Sequence, residues 1–144
     1  MDDGNKIKHL EMIEEIIERM AKNSFQLKGW TMTLVTIIGA FGAKESDKRF
    51  IFLAFVPIIG FWILDAFYLQ KERRYRGLYR SVCEKKPDKI DFNMNTSLVK
   101  FSKEEAKQIR FINCLKSISV SGFYGIIVIT ILVFVAILKN WINI

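Results

Sequence analysis

The chain has little with which to do soluble chemistry. Its 144 residues hold two cysteines, Cys83 and Cys114, and one histidine, His9, too few for a disulfide framework or a zinc site. His9 stands alone near the terminus and reads as a surface residue. No glycine-rich phosphate loop, Cys-x-x-Cys pair or His-Glu-x-x-His helix occurs. Glu104 and Glu105 are adjacent carboxylates, but in the first turn of a helix they complement the macrodipole. The expectation is a protein that is not an enzyme and that takes no cofactor and no metal. Charge is absent too, in one place. Residues 117–138, 22 in a row, carry none.

What is present is apolar sequence gathered into runs. Apolar residues make up 51% of the chain and concentrate in 29–43, 50–68 and 118–138, with largely charged sequence between. That distribution excludes a water-soluble globule with one mixed core and a disordered chain. A hydrocarbon core of roughly 30 Å needs about 20 helical residues. Residues 117–138 meet that as span three, and 50–69 as span two, with Asp65 the single charge inside it. Residues 29–43 are short and recruit the preceding turn, so span one is placed at 24–43, with Lys28 snorkelling toward head groups. The acidic, amphipathic start (MDDGNKIKHLEMIEEIIERM) lacks the basic n-region of a signal peptide. Residues 1–28 and 70–116 together carry 18 Lys/Arg, against 4 in 44–49 and the tail. This predicts a multi-pass protein with a cytoplasmic N-terminus and middle segment and an external C-terminus. Trp30 and Trp141 fall near span ends, where aromatic belts form.

The cytoplasmic parts read as helices. Ile7, Leu10, Ile13, Ile17 and Met20 recur at steps of three and four, an amphipathic helix over 1–23. Glu11, Glu14, Glu15 and Glu18 supply its polar side. It packs either on the chain's own helices or a sister subunit, or on a lipid surface. Span two continues as helix to about Cys83, since the first strong breaker is Pro87. On that extension Tyr68, Tyr75 and Tyr79 form one stripe, and Arg73, Arg76 and Arg80 form another. Basic groups beside aromatic rings hold phosphates and stack bases; close to a membrane they also bind anionic lipid. Both uses stay open. Residues 84–101 read as a linker without a sheet. Ser102 and Glu105 then form a capping box, opening a helix (KEEAKQIRFINCLKS) that runs unbroken into span three. Residues 70–116 thereby make a basic helical hairpin, with 13 Lys/Arg against 6 Asp/Glu. Lys103, Lys107 and Arg110 support the arginine stripe from across it.

Within the spans, Asp65 is a site candidate as an intramembrane acid. It either pairs with a neighbouring Lys or Arg or attracts cations at a pore mouth. Ser117, Ser121 and Gly125 repeat every fourth residue on span three, and Gly39 and Ala43 do so on span one. Such faces let helices approach closely, and the two serines also suit a polar pore wall. Three spans cannot enclose a water path alone, so the sequence predicts a homo-oligomer. The fold class expected is an all-α membrane protein, one integral membrane domain over 1–144.

Two stretches, RMAKNSFQLKGW (19–30) and PIIGFWILDAFYLQKERRYRGLYRSV (57–82), resemble small bacterial membrane proteins carried in anti-phage defence operons. There they sit beside nucleotidyltransferase-type partners, as in Hailong and CBASS systems. The resemblance implies a Hailong-type effector of the bacterial inner membrane: an oligomeric ion channel, with a tetramer as the implied number. It also implies gating by a nucleotide or single-stranded DNA oligomer on the cytosolic side. No ligand residues carry over from it. Arg73, Arg76, Arg80, Lys103, Lys107, Arg110, Tyr75 and Tyr79 come from the charge pattern. The alternative from a different class is a non-conducting, membrane-anchored adaptor that recruits a soluble protein through its cytosolic helices.

Overall fold

A computed structural model describes residues 3–44 and 48–142. Residues 45–47 of the expected external loop and residues 143–144 of the tail lie outside the described residues. Those described are helical with no strand. The elements are α1 (Asp3–Lys44), a 3-10 turn (Lys48–Ala54), α2 (Phe55–Glu84), α3 (Lys103–Ile109), α4 (Phe111–Leu115) and α5 (Ile118–Ile142), with short 3-10 turns at Pro87–Lys89 and Thr96–Leu98. The chain divides into two compact units. One, the basic unit, comprises Met1–Phe25 and Ala66–Cys114; the other, the apolar unit, comprises Gln26–Asp65 and Leu115–Ile144. Both α1 and α2 contribute to each.

In the basic unit the amphipathic pattern folds inward as its spacing dictates. Ile13, Leu78 and Val82 are the buried centre, and Leu10, Ile17, Tyr75 and Tyr79 pack around them. The acids Glu11, Glu14, Glu15 and Glu18 stay exposed. Ile7 leaves the pattern, lying 55% exposed. Lys6 donates to the carbonyls of Cys83 (2.7 Å) and Lys85 (2.9 Å), satisfying acceptors that the end of α2 leaves open. His9, expected on the surface, is fully buried against the Phe92 ring at 5.4 Å. Neither of its ring nitrogens has a hydrogen-bond partner.

Residues 84–101 are more than a linker. Ile90, Met94 and Val99 pack on the core of the unit. Between them Asp91, Asn93 and Asn95 each accept from the backbone N–H two residues on, three successive Asx turns. Phe92 takes φ 50, the left-handed region that side chains seldom adopt, and its contact with His9 accompanies that turn. Phe101 lies on Gly77, where a Cβ would run into its ring. Only glycine permits that approach.

The capping box forms as expected. Glu105 N–H donates to Ser102 Oγ (3.2 Å), and Ser102 N–H donates to the Glu105 carboxylate (2.9 Å). The helix it opens does not run on into the last apolar segment, which corrects the sequence reading. It ends at Ile109, with Arg110 at φ −59, ψ 134. The reason is competition for carbonyls. Asn113 Nδ2 takes Lys107 O (2.6 Å), Arg73 takes Gln108 O (2.6 Å) and Gln70 takes Ile109 O (2.8 Å). Those acceptors would otherwise receive the next backbone N–H groups of a continuing helix. A second break precedes Ile118, where Ser117 O accepts from Val120 and Ser121. Ser117 is therefore the cap of α5 and not a member of its face.

Among the described residues two segments are long and apolar enough to cross a membrane, Ile51–Glu84, which begins in the apolar unit, and Ile118–Ile137, which lies within it. The expected span over 24–43 is the latter part of α1 and is not among them. Lys28, three threonines and Gly29, Gly39 and Gly42 lower its hydropathy. The second apolar segment opens in a 3-10 turn instead of starting as α-helix at Phe50. Gly42 lets Ile51 approach, with its side chain 2.8 Å from the place of a Cβ. Ile58, Val120, Tyr124, Ile127 and Ile131 are buried. Outward the helices present Phe41, Val56, Ile63, Ile126, Ile129 and Leu132, all large and exposed.

Candidate functional site

The eight residues assigned by charge pattern to a ligand do not form one site. On α2, Arg76 is bound to Glu72 one turn earlier (2.8 Å), and Arg80 is paired with Glu105 of α3. Arg73 donates to Gln108 O and lies 3.8 Å from Cys114 Sγ, so it holds the end of α3 in place. Tyr75 and Tyr79 pack on the core and do not stand out as a stacking platform. Lys103, Lys107 and Arg110 are exposed, and among the described residues their side chains have no ion-pair partner within the chain.

Five of the eight line one of two hollows, and Tyr75, Lys103 and Arg110 line neither. The first is a groove of about 590 Å³ lined by Glu14, Ile17, Glu18, Arg76, Tyr79 and Arg80. The second, about 600 Å³, is lined by Arg73, Glu104, Lys107, Gln108 and Asn113. Each contains carboxylates as well as cations, so neither is a purely basic cradle. Glu14 and Glu18 were not singled out as site residues from the sequence. They face Arg76 and Arg80 across a groove that only folding brings together, and the signal available was their place on the polar side of α1.

Local charge follows the same contacts. The Ser102 backbone N–H holds the Glu105 carboxyl below its usual range. The hydrogen bond from Lys85 does the same for Asp91. Burial pushes the Cys114 thiol up, with the Arg73 guanidinium opposing. A raised, buried thiol is a poor nucleophile. Cys83 is exposed, and both cysteines are free. Among the described residues no group of three or more His, Cys, Asp or Glu side chains is placed to hold a metal ion.

The apolar unit carries its own polar centre. Asp65 is fully buried and accepts from Lys28 Nζ at 2.6 Å. Lys28 therefore turns inward to a carboxylate and does not snorkel to the surface; its side chain is 20% exposed. A charged pair at that distance is a strong hydrogen bond as well as a Coulomb contact. Thr31 is buried and donates to Leu27 O (2.7 Å), while the Lys28 ammonium lies 5.9 Å from the Phe123 ring centroid. Trp62 stacks on buried Tyr124 at 6.0 Å and donates to Leu115 O (3.1 Å). Of the small-residue face, Ser121 Oγ reaches Lys116 O (3.5 Å). Gly125 has no atom within contact of a Cβ position, and neither does Gly39. These glycines are open faces in a single copy. Comparison with family models, with curated proteins and with solved structures finds no match for the chain.

Proposed function

We propose that the protein is a three-span, homo-oligomeric ion channel of the bacterial inner membrane, gated by an anionic ligand at its basic unit. The N-terminus and basic unit are cytosolic in this reading, and the C-terminus is external. The observation that carries it is the segment Ile51–Glu84, a 3-10 turn leading into α2, which is long and apolar enough to cross a membrane and ends in the arginines of the basic unit. The resemblance to defence effectors adds the ligand class, a nucleotide or short single-stranded DNA, and a nucleotidyltransferase-type partner that supplies or removes it. Lys103, Lys107 and Arg110 lead as phosphate contacts because among the described residues no acid is ion-paired with them.

Ion flux through purified protein in liposomes, with and without an oligonucleotide, tests the proposal. Flux that changes with ligand at low salt, and that stops responding in Lys107→Ala/Arg110→Ala, is the expected result. Absence of flux in both conditions removes the channel. The reading left is then a membrane-anchored adaptor. Leu98 and Ile112, 68% and 62% exposed on the basic unit, are the observation favouring it.

A further inference from the structure

The groove of the basic unit has a composition that a phosphate ligand does not match. One wall is Glu14 and Glu18 of α1, the other is Arg76 and Arg80 of α2, and Ile17 and Tyr79 form an apolar floor. Among the described residues, Glu14 and Glu18 make no ion pair or hydrogen bond within the chain. The arginine side chains are 62% and 60% exposed, despite their contacts to Glu72 and Glu105. A phosphate or an anionic lipid surface in this groove meets two carboxylates, and like charges brought together are penalised. The occupant must offer both signs of charge and an apolar ridge between them.

We propose that the occupant is the same groove of a second copy of this chain. Copies inserted in one membrane share an orientation, so the axis relating them runs along the membrane normal. A two-fold axis along the groove sets α1 of one copy opposite α2 of the other and keeps every residue at its own height. Glu14 and Glu18 of each copy then face Arg76 and Arg80 of its partner, and Ile17 and Tyr79 meet their own equivalents on the floor. Such a contact is isologous and self-complementary. Desolvated charge pairs around a small apolar centre are what makes an interface selective for its own kind. This inference rests on the homo-oligomeric reading above and names the surface that reading needs.

The test uses the full-length protein in mild detergent, with mass measured by light scattering after size exclusion. Glu14→Lys/Glu18→Lys makes both walls positive and touches no in-chain partner; Arg76→Glu/Arg80→Glu makes both walls negative. Each alone is expected to associate at least about tenfold more weakly than wild type. Co-expressed under two different tags, the two variants are expected to co-purify and recover the wild-type mass, which pairing inside one chain does not produce. Ile17→Cys, in a Cys83→Ser/Cys114→Ser background, is expected to give a cross-linked dimer with a short bis-maleimide. It decides the matter where the arginine variant does not accumulate. An oligomeric wild type whose mass neither reversal alters, or an Ile17→Cys chain that stays uncross-linked, overturns this surface and leaves the oligomeric reading standing. A monomeric wild type overturns both.

Discussion

The two units share an apolar interior and differ in what they set outside. The basic unit hides Ile13, Leu78 and Val82 and sets its acids and lysines outside. The apolar unit hides Ile58, Val120 and Ile127, with Asp65, Thr31 and most of Lys28 as a polar centre among them, and sets Phe41, Ile63, Ile129 and Leu132 outside. A helix exposes what its surroundings solvate. Water solvates the charges of the first, and the side chains the second sets outside are of the kind that hydrocarbon solvates. The same 42-residue helix, α1, obeys both rules along its length. Its surface is read by position, since α1 as a whole is neither amphipathic in one sense nor apolar throughout.

The largest effect that can break this comparison lies at the buried pair. Lys28→Met takes the ammonium away from the buried Asp65 carboxylate, and removing one partner of a buried pair costs about 3–5 kcal/mol. Lys28→Met/Asp65→Leu is expected to recover most of that loss, because an apolar replacement of both partners leaves no buried charge. Thermal unfolding in detergent reads both. A single variant as stable as wild type means that the polar centre does not hold the unit.

The smaller effect lies in the basic unit, at its capping box. Ser102→Ala is expected to cost about 1 kcal/mol, read by the same unfolding measurement. The Glu105 carboxyl sits below its usual range in the folded chain. Its contribution is therefore full above the ordinary glutamate value and is lost as pH falls through the lowered folded value. The helical signal of α3 is expected to weaken over that acid range in wild type, and less in Glu105→Gln, which keeps the reach to the Ser102 N–H but has no carboxyl to protonate. Equal acid sensitivity of the two contradicts the assignment.

These positions also show what the sequence could disclose. The capping box was legible because all of its chemistry lies within four residues. The inward face of α1 was legible because burial follows helical spacing, and two of the apolar segments stand out by length alone. The end of α3 was not. Neither Pro nor Gly marks it, and the donors that draw off its carbonyls include Gln70 and Arg73, more than thirty residues away on α2. Lys28 and Asp65 are 37 residues apart, so the sequence offers Asp65 a basic partner without saying which. For the same reason the arginine stripe read as a free basic surface. Of the acids that pair with it, Glu72 is one turn from Arg76 on the same helix, whereas Glu105 reaches Arg80 only through folding.

Two side chains of equal standing in the fold test the central contrast most directly. Cys83, on the basic unit, and Ile129, 63% exposed on the apolar unit, are both uncovered by protein. The protein is placed in lipid nanodiscs and treated with a water-soluble maleimide, using Cys83 in a Cys114→Ser chain and Ile129→Cys in a Cys83→Ser/Cys114→Ser chain. Rapid labelling of Cys83, with Ile129→Cys protected until the lipid is dissolved and the chain unfolded, is the predicted result. Labelling of both at the same rate in intact nanodiscs contradicts a membrane-embedded apolar unit.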